Sequence, residues 1–182
     1  MRGWLTTLIG HHAYRPWLTV EGSLTQALRA HCPHLRLLRL RQEEDRPHAD
    51  ELAPLSLPRG RLALVREVLL VCREHPVVFA HSVIPMAGLQ GPWRGLFKLG
   101  QRPLGEALFA DPAIQRRPMQ YRRLDGRHPL YRAAIRWLDH PPAALWARRS
   151  VFLRAGSPIL VTEVFLPAVL RLTAMDQQEK AR

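Results

Sequence analysis

The pattern of apolar and polar positions is most strand-like from Arg61 to Cys72 (RLALVREVLLVC), a run where Val and Leu dominate and neither Gly nor Pro interrupts. On a strand this spacing puts Leu62, Leu64, Arg66, Val68, Leu70 and Cys72 on one face. Arg66 therefore stands inside an apolar row, and its guanidinium needs an anion there because an isolated buried charge is very costly. Pro76 to Ile84 reads as a second strand, and the short turn Arg73-Glu74-His75 makes the pair an antiparallel hairpin. Arg148 to Arg154 and Ile159 to Leu166 form a second hairpin across Ala155-Gly156-Ser157-Pro158. Ile159, Val161, Glu163 and Phe165 share a face of the latter strand, so Glu163 repeats the oddity of Arg66. Leu35 to Gln42 alternates more loosely and reads as the first strand.

Between the strands the pattern changes to short helices. Ser23 and Gln26 have capping-box spacing ahead of Ala27, Leu28, Arg29 and Ala30, and Pro33 ends that helix. Leu24 takes the first helical position, where the backbone N–H has no intrahelical acceptor. Residues 1–22 read as irregular or briefly helical, packing Trp4, Tyr14 and Trp17 on the core, and Glu43 to Pro58 as a polar connection. A short helix is expected over Trp93 to Leu99, broken by Gly100; Pro103 then opens a helix from Leu104 to Ala110. The glycine-bounded turn into that helix exposes backbone N–H groups suited to an anion. Asp111-Pro112 reads as the cap of a further short helix. Pro129 to Asp139 is amphipathic, with Leu130, Ala134 and Trp137 on one side, and Pro141-Pro142 stops it. Hairpins with capped helices and no βαβ alternation imply an α+β fold on an antiparallel sheet, a single domain over 1–182 with 1–16 and 169–182 peripheral.

Charge alters this picture more than composition does. The apolar share of 47% is ordinary, but 27 Lys plus Arg against 15 Asp plus Glu gives a net +12. An attracted anion and a solvated basic surface both account for it. The arginines are scattered rather than blocked, and the basic stretch 115–123 (QRRPMQYRR) reads as a solvated loop, so no nucleic-acid partner is expected. Cys32 and Cys72 make no disulfide framework, and Cys72 is expected to pack as a small hydrophobe in a reduced, cytoplasmic protein. The first apolar run stops at His11-His12, too short for a signal-peptide core, and no stretch approaches the ~20 apolar residues of a membrane span. His31-Cys32-Pro33-His34 lacks a further ligand group at zinc spacing, so no metal is expected. On the residues alone, the anion facing Arg66 is either Glu163, in a buried structural bridge, or the carboxylate of a ligand.

Three segments are more specific. REVLLVCREHPVVFAHSVIP (66–85), GPWRGLFKLGQRPLGEALF (91–109) and LWARRSVFLRAGSPILVTEVFLPA (145–168) together resemble the chorismate lyase family. WLTVEGSLTQAL (17–28) matches its N-terminal part more weakly. The resemblance implies a lyase without cofactor or metal, converting chorismate to 4-hydroxybenzoate and pyruvate towards ubiquinone. It further implies a six-stranded antiparallel sheet flanked by short helices around an enclosed ligand site. A monomer with no stable membrane insertion is expected. Carried over residue by residue, Arg66 receives the ring carboxylate together with backbone contacts at Leu24 and Leu104, and Glu163 faces the 4-hydroxyl. His81 stands where a family member can have an arginine that helps hold the substrate, and 121–145 is longer than the family segment. The rival readings are a non-catalytic small-molecule-sensing domain of the same architecture, as in some bacterial transcription regulators, and a basic RNA-binding protein.

Overall fold

The elements, in the computed structural model that describes residues 3–10, 12–98 and 103–172, follow the alternation of the sequence closely. In chain order they are α1 (Arg15–Leu18), α2 (Leu24–His31), β1 (Leu35–Asp45), α3 (Ala49–Leu52), β2 (Ala63–Cys72), β3 (His75–Pro85) and α4 (Met86–Gln90). A 3₁₀ turn at Arg94–Lys98 precedes α5 (Leu104–Ala110), β4 (Gln115–Arg116), β5 (Gln120–Asp125) and α6 (Pro129–Ala134). A second 3₁₀ turn, Ile135–Trp137, leads to β6 (Ala144–Arg154) and β7 (Ser157–Phe165). The expected α5 and both hairpins are present; Leu99 and Gly100, part of the expected helix and its break, lie outside the described residues.

All strands join one antiparallel sheet in the order β1-β2-β3-β7-β6-β4, with β5 also paired to β6. Six positions across the sheet therefore hold seven strands, because β4 and β5 share the outermost one. Pro118 lies between them, and a residue without an N–H interrupts a hydrogen-bonded ladder. The basic stretch 115–123, expected as a loop, is thus mostly edge strand.

Each face of the sheet carries its own cover. On one face α1 and α2 pack Trp17, Leu18, Leu24 and Leu28 against Leu70, Val78 and Phe165. Farther along that face Leu104 and Leu108 of α5 join Leu64, Ile84, Trp93, Phe152 and Ile159. On the opposite face α6 brings Leu130, Tyr131 and Ala134 onto Leu69, Phe79, Leu145 and Val164. β2 is buried along its whole length, which accounts for a run with almost no polar relief.

Four expectations are corrected. Cys32, at the C-terminal cap of α2, and Cys72, the last residue of β2, form a disulfide with Cα atoms 6.1 Å apart. Their separation of 40 residues gave no local cue; the pair meets because Pro33 turns the chain back where β2 ends. Asp111 starts a turn instead of a helix: its carboxylate accepts from the Ala113 N–H, closing a local ring just before β4. Trp137 is 42% exposed, since the tighter winding of its 3₁₀ turn rotates it off the face that buries Leu130 and Ala134. The acidic connection after Gln42 starts as strand, because Glu43, Asp45 and Glu67 surround the Arg41 guanidinium at 2.8–3.0 Å.

Candidate active site

Between the two apolar clusters on the α2/α5 face lies a cavity whose floor is the middle of the sheet. Strand register aligns two rows across it. Val68, Ala80, Glu163 and Arg148 form one; Arg66, Ser82, Val161 and Ser150 form the next. All of these residues line the cavity. Its roof is the start of α2 (Leu24, Thr25) and of α5 (Leu104, Leu108, Phe109), with Pro103 leading into the latter. The Ser23 hydroxyl accepts from the Gln26 N–H, so the cap, not Leu24, occupies that side chain. At the first helical position of each helix, Leu24 and Leu104 keep N–H groups that no intrahelical carbonyl can reach. Arg29 of α2 pairs with Glu106 of α5, tying the two helices together above the cavity.

Arg66, Leu24, Leu104 and Glu163 therefore come together, as expected from the sequence. Arg66 is only 3% exposed, and burial, followed by the charge of Arg39, pushes its guanidinium pKa below the ordinary value. Glu163 lies one strand farther than β3 from Arg66, and its ion-pair partner is Arg148, whose Nε–H donates at 2.5 Å. Arg148 Nη1 also donates to the carbonyls of Trp17, Leu18 and Val20, at 3.3, 3.3 and 2.8 Å. Its Nε and Nη1 thereby fix Glu163 and the end of α1.

His81 is not part of this assembly. One residue before Ser82 in β3, it points to the opposite face, as the period of two requires. There it is 1% exposed, with Nδ1 3.0 Å from Glu67 and Nε2 in a 3.1 Å ion-pair contact with Glu51. Burial alone would lower its pKa, but the two carboxylates outweigh it and lift the imidazole to about 9. His81 is a buried imidazolium away from the cavity, which corrects its place among the expected substrate contacts.

Two arginines of the cavity wall escaped the sequence reading. Arg148 has the same parity as Ser150 and Phe152 in β6, so the argument that singled out Arg66 applies to it equally. Arg116 of β4 pairs in register with Phe152, and its guanidinium carbon lies 5.2 and 5.5 Å from the ring centres of Phe109 and Phe152. It was hidden in a segment whose composition looks like loop. Among the described residues, the charged side chains lining the cavity are Arg66, Arg116, Arg148 and Glu163, an excess of two positive charges. Such a space, with apolar walls and two helix starts aimed inward, suits a small, flat dianion.

The family model described as "Chorismate lyase" matches residues 9–174. A protein of Nitrosomonas europaea named "Probable chorismate pyruvate-lyase" is 49% identical over 156 residues, 86% of this chain and 88% of that one. One of the same name from Methylobacillus flagellatus is 41% identical, covering 96% of this chain and 98% of its own. Among solved structures, the C-terminal domain of the histidine utilization repressor of Pseudomonas syringae superposes with a TM-score of 0.55 at 9% identity, over 74% of this chain and 93% of that one. A GntR-family transcriptional regulator from Bacillus cereus gives 0.52 at 10%, over 73% and 92%. These two likenesses concern the fold alone.

Proposed function

The chain belongs to the chorismate lyase family, and on that premise we propose that its cavity is the active site in which chorismate becomes 4-hydroxybenzoate and pyruvate. The observation that carries this reading is the convergence of Arg66, Glu163 and the N–H groups of Leu24 and Leu104 on one buried space. Arg66 receives the ring carboxylate in bidentate fashion, and the two backbone N–H groups complete its coordination. Glu163, held by Arg148, accepts from the 4-hydroxyl and sets the ring's rotation about its long axis.

The chemistry is an elimination that needs no oxidant. The proton leaves C4, the C3–O ether bond breaks, and the electron pair of the C–H bond completes the aromatic ring. The leaving group departs as enolpyruvate and takes a proton at its methylene carbon to become pyruvate. Aromatisation supplies the driving force, so the protein contributes chiefly alignment and exclusion of water. Two routes for the proton fit the site: transfer within the substrate, or removal by Glu163. Glu163→Gln separates them. It keeps the shape and one hydrogen bond, so near-normal turnover leaves the intramolecular route standing, whereas a loss of about 10²-fold or more assigns the proton to the carboxylate.

The cavity is built within one chain, which supports a monomer acting on a free small molecule, with no nucleic acid taking part. A cytoplasmic location is part of this proposal. No described helix is long and apolar enough to cross a membrane. The deciding experiment mixes purified protein with chorismate and follows both products. One equivalent each of 4-hydroxybenzoate and pyruvate is expected. Chorismate bound but recovered unchanged would establish instead a non-catalytic sensing domain.

A further inference from the structure

We propose that Arg116 is the second anion-binding residue of the cavity, receiving the carboxylate of the substrate's enolpyruvyl ether and so distinguishing substrate from aromatic product. The inference rests on the reading of the cavity as the chorismate site and extends it to the half of the ligand that leaves.

The position of Arg116 argues first. The sheet order β2-β3-β7-β6-β4 sets Arg66 and Arg116 on opposite sides of the cavity floor, with Glu163 and Arg148 between them. A ligand whose ring carboxylate lies on Arg66 and whose hydroxyl reaches Glu163 can extend its remaining substituent, next to that hydroxyl, towards β4.

The state of the guanidinium argues next. Arg148 already has a carboxylate partner in Glu163 and gives Nη1 to three carbonyls, but no carboxylate of the described residues pairs with Arg116. Its Nη2 has only the Met119 sulfur, at 3.7 Å, and its Nε is buried with no hydrogen-bond partner among the described residues. Burial, and then the nearby charge of Arg148, lower its pKa, so the cation is held at a cost that a bound anion would relieve. Its orientation is nonetheless fixed. Phe109 and Phe152 meet edge to face at 5.6 Å, and Arg116 lies over both rings. A half-buried guanidinium pre-set on two aromatic faces, with no carboxylate in direct contact among the described residues, is suited to receive one.

The two ends of the ligand then have different duties. The ring carboxylate persists in 4-hydroxybenzoate, so Arg66, Leu24, Leu104 and Glu163 hold substrate and aromatic product alike. The second carboxylate departs with pyruvate, so an interaction at Arg116 exists in the substrate complex and is lost once the ether bond has broken and pyruvate leaves. It adds affinity for the reactant without adding to retention of the aromatic product. As the C–O bond breaks, the same cation lies close to the enolate oxygen on which negative charge develops.

The test compares two ligands on one variant. In Arg116→Gln, kcat/KM for chorismate is expected to fall about 10²-fold, while the inhibition constant of 4-hydroxybenzoate stays within about twofold of wild type. Arg116→Lys, which restores the charge without the fork, recovers part of the loss. The inference is overturned if Arg116→Gln keeps wild-type chorismate kinetics, or if both ligands weaken equally, which would make Arg116 a structural residue. Should Arg116→Gln fail to fold, the lysine variant decides alone: reduced kcat/KM with unchanged product inhibition supports the role, and parallel losses refute it. A wild-type protein that does not turn chorismate over would sink the activity reading itself, an outcome separate from either result at Arg116.

Discussion

The two faces of the sheet both bury charge, and they do so in opposite ways. On the face covered by α3 and α6, His81 sits between Glu51 and Glu67, and Arg41 closes on Glu67 at 2.9 Å. Arg41 also reaches Glu43 and Asp45, so both cations are met by carboxylates of the chain itself. On the face covered by α2 and α5, three arginines meet one glutamate. Adjacent residues of single strands serve these separate ends: Arg66 and Glu67 in β2, His81 and Ser82 in β3. Buried cations met by the chain's own carboxylates belong to the scaffold, whereas the excess of two positive charges along the cavity supports reading it as a site for a dianion.

The sharpest way to break this distinction is Arg66→Ala. Loss of a charge-assisted anchor in a buried cavity is expected to cost about 3–4 kcal/mol of transition-state binding, roughly 10²–10³-fold in kcat/KM. The melting temperature of the same variant, measured alongside, separates lost binding from lost folding. A variant that unfolds while its remaining folded fraction keeps full activity would reverse the roles of the two faces.

His81→Ala is the mirror experiment. It leaves Glu51 and Glu67 facing each other in the interior and is expected to destabilise the fold by about 3–5 kcal/mol in denaturant titrations, with kcat/KM within about threefold of wild type. Loss of activity at unchanged stability would return His81 to the list of substrate contacts. The same cluster sets a smaller, graded effect of pH. His81 titrates near 9 when folded against 6.5 unfolded, so its contribution is fully present below about pH 6.5 and fades as pH rises through 9. Glu51 and Glu67 are held below the usual 4.5, so their contribution is present above that value and is lost on acidification. Stability measured by urea should thus be greatest near pH 5–6.5, and a His81→Ala protein should lose the alkaline decline. If wild-type stability is flat from pH 6.5 to 9.5, the imidazolium assignment fails.

Much of this arrangement could be read in advance because a strand's period of two is strict. Arg66 in RLALVREVLLVC and Glu163 in ILVTEVF announce themselves as charges in apolar rows, and capping residues locate Leu24 and Leu104 at helix starts. Where alternation was outweighed by composition, the reading failed. QRRPMQYRR looks like solvated loop, yet its backbone completes the sheet edge and Arg116 turns inward onto Phe109 and Phe152. Parity would also have shown that His81 and Ser82 face opposite sides, a step that placing His81 by resemblance passed over. The Cys32–Cys72 contact was illegible for a different reason: it depends on how α2 lies on β2, a tertiary relation with no local signature.

That bridge alters what a cut in the chain would do. Residues 58–62 are exposed and contain Arg59 and Arg61, open to trypsin. The bond from Cys32 to Cys72 spans this loop. An oxidised molecule nicked there remains a single covalent body, with the α2 segment still fastened to the strand that carries Arg66. It should migrate as an intact chain on a denaturing gel until a reductant releases two fragments, and the broken peptide bond lies outside the cavity wall.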